Sequence, residues 1–169
     1  YLKYGPFEIG TARPETKFLD KTIVVHPSDS RYQHLIGKEF EVPWIEGTVK
    51  ARVIADPIID KDLGTGAMTL TPAHSFEDFE LAKKHKLEIV QIIGPNVRLT
   101  EAAGSMQGML TSEARKKVIE VLQRKGLIDR IDTEYVHNLS VCYRCETPVE
   151  PLISKQWFVD VNKKAGSRH

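Results

Sequence analysis

The run Gly64-Thr65-Gly66-Ala67-Met68-Thr69-Leu70-Thr71-Pro72-Ala73-His74, followed by Ser75-Phe76-Glu77-Asp78, reads as a turn, a strand and the start of a helix. Ala67–Thr71 alternates with period two, which sets Met68 and Leu70 on one face and Thr69 and Thr71 on the other. The two glycines before it suit a turn with positive φ or a close backbone approach. Pro72 ends the strand. Ser75 then offers an N-cap with Asp78 three residues on, a variant of the capping box. The helix is expected to run to about His85, burying Phe79, Leu81 or Ala82. Lys83, Lys84, His85 and Lys86 gather at the end where the helix dipole favours cations.

Outward from this unit, Phe7–Ala12, Thr22–His26, Val49–Ile54 and Glu88–Ile93 carry strand patterns, as do Leu127–Val136 and the region near Trp157–Val161. A short helix is expected over Asp29–Leu35. A longer one is expected over Thr111–Lys125, stopped by Gly126, with Ala114, Val118, Val121 and Leu122 as its apolar stripe. Thr100–Gly108 reads as a loop, and the tail Asn162–His169 as polar and frayed. Together these predict a mixed α/β fold, a β-barrel-like core with flanking helices.

The chain has 169 residues, of which 41% are hydrophobic and 28% charged, as in a soluble globular domain rather than a disordered one. Its formal charge of +1 means that a nucleic-acid ligand must be held by a local patch. No stretch approaches the roughly 18 to 20 apolar residues of a membrane span. No secretory leader is evident, and the start at Tyr1 reads as an excised piece. Two cysteines so close together cannot staple a fold, which favours a reducing, cytosolic compartment.

Common catalytic signatures fail. Gly64–Ala67 lacks the third glycine of a dinucleotide loop, and no Gly-Lys-Ser/Thr phosphate loop exists. Ser105, within Gly104–Gly108, sits one position off a nucleophile elbow and reads as part of a turn. His74 and Asp78, at i and i+4, have no third ligand spaced to complete a catalytic metal site. Cys142-Tyr143-Arg144-Cys145 is half of a tetrahedral zinc knuckle, or a redox pair; His137 and His169 are further candidate ligands. A half-site suggests that the other half lies outside this chain. What remains is Thr11, Arg13, Glu15, Thr16, Thr69, Thr71 and Asp78: solvated turns and caps, or a small polar pocket. Asp78, in the first helical turn, is a fixed anion suited to a cationic group such as an α-ammonium.

At this point the residues resemble a family. Thr11–Thr16 (TARPET), Val25–Lys38 (VHPSDSRYQHLIGK), Gly64–His74, Glu77–His85 (EDFELAKKH) and Cys142–Phe158 (CYRCETPVEPLISKQWF) resemble, in order, the editing insertion of valyl-tRNA synthetases. Isoleucyl and leucyl enzymes share the threonine-rich strand, the GTG turn and the aspartate, and remain the alternative. No HIGH-type or KMSKS-type activation signature is present. The resemblance implies an editing domain over 1–135 and a CxxC-containing connection over 136–169, leading back toward a catalytic domain. It implies hydrolysis of mischarged Thr-tRNA(Val), with Asp78, Thr11 and Thr71 catalytic. Arg13, Thr16, Glu15, Thr69, Ser75 and His74 would bind substrate, with Glu15 orienting and His74 a packed histidine rather than an acid or base.

Further implications concern partners. Cys142 and Cys145 would share structural zinc with a second cysteine pair upstream of Tyr1. Editing would need no cofactor, and ATP and magnesium would belong to the parent enzyme's catalytic domain. The partners would be the 3′ end of tRNA(Val) with its aminoacyl group and the rest of the synthetase. Arg115, Lys116, Lys117 and Arg124 are either a tRNA-facing patch or a solvated helix face. A cytoplasmic monomer with no membrane contact is expected. The chain departs from the valyl pattern at Ala12, where threonine is usual, at Thr69, where lysine is common, and at Ser75, where aspartate is common. These changes imply hydroxyl reading by neutral groups, or reduced editing.

Overall fold

The computed structural model describes residues 1–136, 138 and 140–161; His137, His169 and the tail from Asn162 lie outside them. Six strands are formed: β1 (Leu2–Tyr4), β2 (Phe7–Ile9), β3 (Thr22–Val25), β4 (Glu39–Trp44), β5 (Gly47–Ala55) and β6 (Ala67–Thr69). Two α-helices, α1 (Phe76–Lys84) and α2 (Thr111–Arg124), and three 3-10 segments complete the described elements.

Four strands form one sheet in the order β4-β5-β3-β6, with β3 parallel to β5 and the other pairs antiparallel. β1 and β2 form a separate antiparallel hairpin. The expected barrel-like core is therefore met only in part. The sheet is mixed but open, with β4 and β6 at its edges. β4 was not legible as a strand in the sequence; Pro43 lies in it, opposite Thr48, and an edge strand tolerates the missing N–H.

Three expected strands need correction. Glu88–Ile93 pairs with no strand apart from a single bridge between Ile93 and Leu99. The amides of Ile92 and Ile93 donate instead to His74 Nε2, at 2.9 and 3.1 Å. Leu127–Val136 supplies one bridge, Ile128 to Leu2, and then leaves the hairpin. Trp157–Val161 forms no strand, and Trp157, Phe158, Val159 and Val161 are exposed. The short helix expected at Asp29–Leu35 is a 3-10 turn over Gln33–Leu35. The expected loop at Thr100–Gly108 holds a 3-10 segment, Glu101–Met106, interrupted at Gly104.

Burial explains how the site is positioned. β3 is buried on both faces: Ile23 and Val25 join the main core, while Val24 packs with Ile59, Leu70 and Leu81. That second cluster ties α1 to the sheet, each fully buried aliphatic side chain contributing roughly 1.5–3 kcal/mol. In α2 the stripe Ala114, Val118 and Leu122 faces the main core, and the helix packs against the 3-10 segment Pro14–Leu19. Two short, otherwise weak segments are thereby held beside the end of β6.

Candidate functional site

The geometry starts at the β6–α1 junction. Thr71 lies just past the strand, and a tight turn returns the chain, with His74 N–H donating to Thr71 O at 2.9 Å. Ser75 caps α1 by accepting the Asp78 N–H at 3.2 Å. Asp78 in turn folds back: its Oδ2 accepts the Thr71 amide at 2.6 Å and the Thr71 hydroxyl at 3.2 Å. The residue is 5% exposed, and its Oδ1 accepts no hydrogen bond among the described residues. The result is an oriented carboxylate with one oxygen still available.

The second wall is the segment from Thr11 to Asp20. Thr11 Oγ1 accepts the Arg13 amide at 3.0 Å, and the Thr16 hydroxyl donates to Arg13 O at 2.9 Å. The Arg13 guanidinium donates to Glu15 at 3.2 Å and, through Nη2, to both oxygens of Glu150 at 2.8 and 2.6 Å. Burial pushes the Arg13 pKa down, but Glu150 and Glu15 more than offset this and raise it. Glu15 also takes Arg115 at 3.1 Å, and Arg115 reaches Ala12 O at 2.6 Å. Arg115 is therefore engaged with this wall, whereas Lys116, Lys117 and Arg124 are exposed on α2.

His74 is packed, with its side chain 1% exposed. Because Nε2 accepts two amides, a ring proton must sit on Nδ1, so Nε2 has no free lone pair for proton abstraction. Thr69 is likewise committed. Its hydroxyl donates to Asp20 Oδ2 at 2.5 Å and accepts from Lys17 Nζ at 3.0 Å. Neutral Thr69 thus has an ammonium beside it, supplied by Lys17. Burial pushes the Asp20 carboxyl up against the opposing effects of Lys17 and Thr69.

Two cavities divide the candidate residues. A small one of about 80 Å³ is lined by Thr16, Asp20, Thr71 and His74 among others. A larger cleft of about 550 Å³ is lined by Thr11, Ala12, Gly64, Thr65 and Arg115 among others. Arg13, Glu15, Thr69, Ser75 and Asp78 line neither cavity; Arg13 and Asp78 are hydrogen-bonded to Thr16 and Thr71, which line the small one. Lys17, Asp20 and Glu150 were not singled out in the sequence. Lys17 and Asp20 had one local signal, opposite charges three residues apart around Phe18 and Leu19.

Cys142 and Cys145 sit in a turn in which Cys142 N–H donates to Thr147 O and Glu146 N–H to Cys142 O, each at 2.8 Å. Both thiols are free. The Thr147 hydroxyl and amide, with Cys142, hold the Cys145 thiol below its usual range. Among the described residues no group of three or more His, Cys, Asp or Glu side chains is arranged for a metal ion.

A crystal structure described as GlLeuRS-CP1 superposes with a TM-score of 0.54 at 13% identity, covering 75% of this chain and 83% of that one. A family model described as the leucyl-tRNA synthetase editing domain matches residues 47–131. The chain belongs to this family, the editing domains of class I aminoacyl-tRNA synthetases. Valine–tRNA ligases are close in sequence. That of Carboxydothermus hydrogenoformans is 42% identical over 161 residues, 95% of this chain and 18% of its own length. That of Clostridium tetani is 41% identical over 158 residues, 94% of this chain and 18% of its own. That of Petrotoga mobilis is 40% identical over 172 residues, 98% of this chain and 19% of its own. The chain therefore spans less than a fifth of the length of these relatives.

Proposed function

We propose that this chain is the proofreading hydrolase of a valine-specific synthetase and cleaves the ester of Thr-tRNA(Val). The observation that carries the reading is Asp78: Thr71 fixes one carboxylate oxygen, and the other is left for the substrate ammonium. A charge-assisted bond of that kind is among the stronger ones available in a partly buried site. The similarity to valine–tRNA ligases gives the reading its amino acid.

Threonine and valine are nearly isosteric. An apolar synthetic pocket cannot strongly reject the added hydroxyl, and valine against threonine is the stock instance of that rule. A second, polar chamber can require it. The small cavity has room for water but not for a nucleoside, and the larger cleft has the volume of a small-molecule site. Thr11, whose hydroxyl proton is uncommitted to Arg13, would hold the terminal adenosine in that cleft. Thr16 and Thr71 would place water and the amino acid, and Arg13 would meet the anionic backbone. An aminoacyl ester is already activated, so orientation of water and carbonyl supplies much of the rate without a nucleophilic triad.

The reading extends to the whole enzyme. Residues 1–135 would be the editing domain, and 136–169 the connection to the catalytic domain, where ATP and magnesium act. Cys142 and Cys145 would hold structural zinc together with ligands outside this chain. Full zinc occupancy in the 169-residue chain alone would contradict that sharing. The enzyme would work in the cytoplasm as a monomer on the 3′ end of tRNA(Val), with Lys116, Lys117 and Arg124 facing its backbone.

The assay is deacylation of Thr-tRNA(Val) beside Val-tRNA(Val) by the full-length enzyme. Selective loss of the threonyl ester is expected. A second reading, an insertion that only positions tRNA, is favoured by Ala12 and by the commitment of the Thr69 and Ser75 hydroxyls to Lys17, Asp20 and the α1 cap. Two esters left equally untouched would select it.

A further inference from the structure

The segment after the cysteine turn is almost wholly exposed. Among the described residues from Ser140 to Val161, only Cys142 and Glu150 are less than exposed. Glu150 is the point at which this arm meets Arg13 and His74, of which His74 lines the small cavity. The Glu150 carboxylate takes two bonds from Arg13 Nη2, and its Oε1 lies 3.4 Å from His74 Nδ1, a buried atom with no hydrogen bond of its own among the described residues. The Glu150 side chain is 16% exposed. Burial pushes its carboxyl up, and His74 and Arg13 beside it more than offset this, leaving it below the usual range.

We propose that Glu150 is a positioning residue for ester hydrolysis, the clasp through which the cysteine-bearing arm sets the pocket. Its grip on Nη2, with Glu15 on Nε, fixes the guanidinium plane and leaves Nη1 to meet the ligand. Its Oε1 faces the His74 edge that must carry the ring proton, so it favours the tautomer whose Nε2 supports the Ile92–Ile93 wall. Orientation errors at this scale act on the rate of the oriented step more than on affinity. The inference rests on the editing reading. It adds that the arm and the pocket are coupled through one carboxylate, 137 residues from Arg13 in sequence.

The test uses Glu150→Gln, Arg13→Gln and the double variant in the full-length synthetase. Single-turnover deacylation of Thr-tRNA(Val) is measured across enzyme concentration. For Glu150→Gln, the maximal rate is expected to fall about tenfold, with half-saturation moving less than twofold. The double variant should be no slower than Arg13→Gln, because residues acting through one another are not additive. Multiplicative losses, an unchanged rate, or faster deacylation in Glu150→Gln would each overturn the proposal; the last would make Glu150 a plug on Arg13. Trypsin cleavage after Arg144 and Lys155 tests the clasp without any ester. It should quicken several-fold in Glu150→Gln, and an unchanged rate would remove the clasp. A wild type that hydrolyses neither ester, with a trypsin-sensitive variant, would fail the editing reading while leaving the clasp standing.

Discussion

Lys17 Nζ lies 3.0 Å from Thr69 Oγ1, and the same hydroxyl donates to Asp20 Oδ2 at 2.5 Å, so a buried ammonium and a buried carboxyl share one alcohol. The ammonium is 3.5 Å from Asp20 Oδ2, and both side chains are nearly inaccessible. Asp20 Oδ1 is buried with no partner among the described residues, so the carboxyl depends on Lys17 and Thr69 for its compensation.

Lys17→Met is therefore expected to destabilise the chain by about 3–5 kcal/mol at neutral pH, measured by denaturant unfolding. The loss should shrink on acidification. Without the ammonium, the folded Asp20 pKa rises further above its unfolded value. Such a group adds stability below the unfolded pKa, about 3.9, and loses it as pH rises through the folded value. The deficit of the variant at pH 4 should be smaller than at pH 7; equal deficits would show that the lysine stem, not its charge, carries the effect.

The β6–α1 unit was readable because its signals are local: alternation in Ala67–Thr71, a proline break, and a serine three residues before an aspartate. Glu88–Ile93 shows where such signals stop. Ile92 and Ile93 are in the core, but the partner for their amides is a histidine 18 and 19 residues earlier rather than a neighbouring strand. Lys17 reads as a surface lysine, yet the chain closes over it as the Trp44 indole reaches Lys17 O and the Tyr4 hydroxyl reaches Asp20 O. Glu150 carries no local sign of its place on Arg13. Of the polar residues singled out, Thr16, Thr71 and His74 line the small cavity and Thr11 the larger cleft, a division that no local sequence signal carries.

Asp56 provides a pH dependence of the opposite sign. Its side chain is 1% exposed, which by itself pushes the carboxyl up. Lys84 and His85, each 2.7 Å away, and the Ile58 amide outweigh burial and hold it at about 2. A depressed pKa contributes stability above the unfolded value, lost as pH falls through the folded one. Unfolding free energy should therefore decline between about pH 4 and pH 2. In Asp56→Asn that decline should flatten, and the variant should be less stable than wild type at pH 7. A parallel decline in both proteins would assign the acid sensitivity elsewhere.

The two bonds from Thr71 to Asp78 are unequal, and their loss should be unequal too. Asp78→Ala removes the proposed ammonium partner, worth about 1.5–3 kcal/mol, or roughly 10- to 150-fold in kcat/KM for the threonyl ester. Thr71→Val keeps the 2.6 Å amide bond and loses only the 3.2 Å hydroxyl bond, so its loss should stay below about tenfold. Single-turnover deacylation by full-length variants reads both. A larger loss in Thr71→Val than in Asp78→Ala would move the central role from the carboxylate to the hydroxyl.

The GTG turn before β6 separates two uses of glycine. Gly64 has φ +59° and open space where a Cβ would stand, so Gly64→Ala should cost only the backbone term of about 1–2 kcal/mol. Gly66 has φ +71° as well, but its added Cβ would collide with Arg31 Nη2, lie 2.8 Å from Lys61 O and 3.0 Å from Asp29 Oδ2. Arg31 is pinned there by 2.6 Å bonds to Asp29 Oδ2 and Lys61 O, so relief requires breaking them. Gly66→Ala should therefore destabilise by clearly more than Gly64→Ala in denaturant unfolding. Removing the arginine side chain in Gly66→Ala/Arg31→Ala should recover part of the difference, while the contact with Lys61 O keeps it from recovering all. Equal costs for the two single variants would mean that the turn moves freely, and that the approach of Arg31 does not fix the entry to β6.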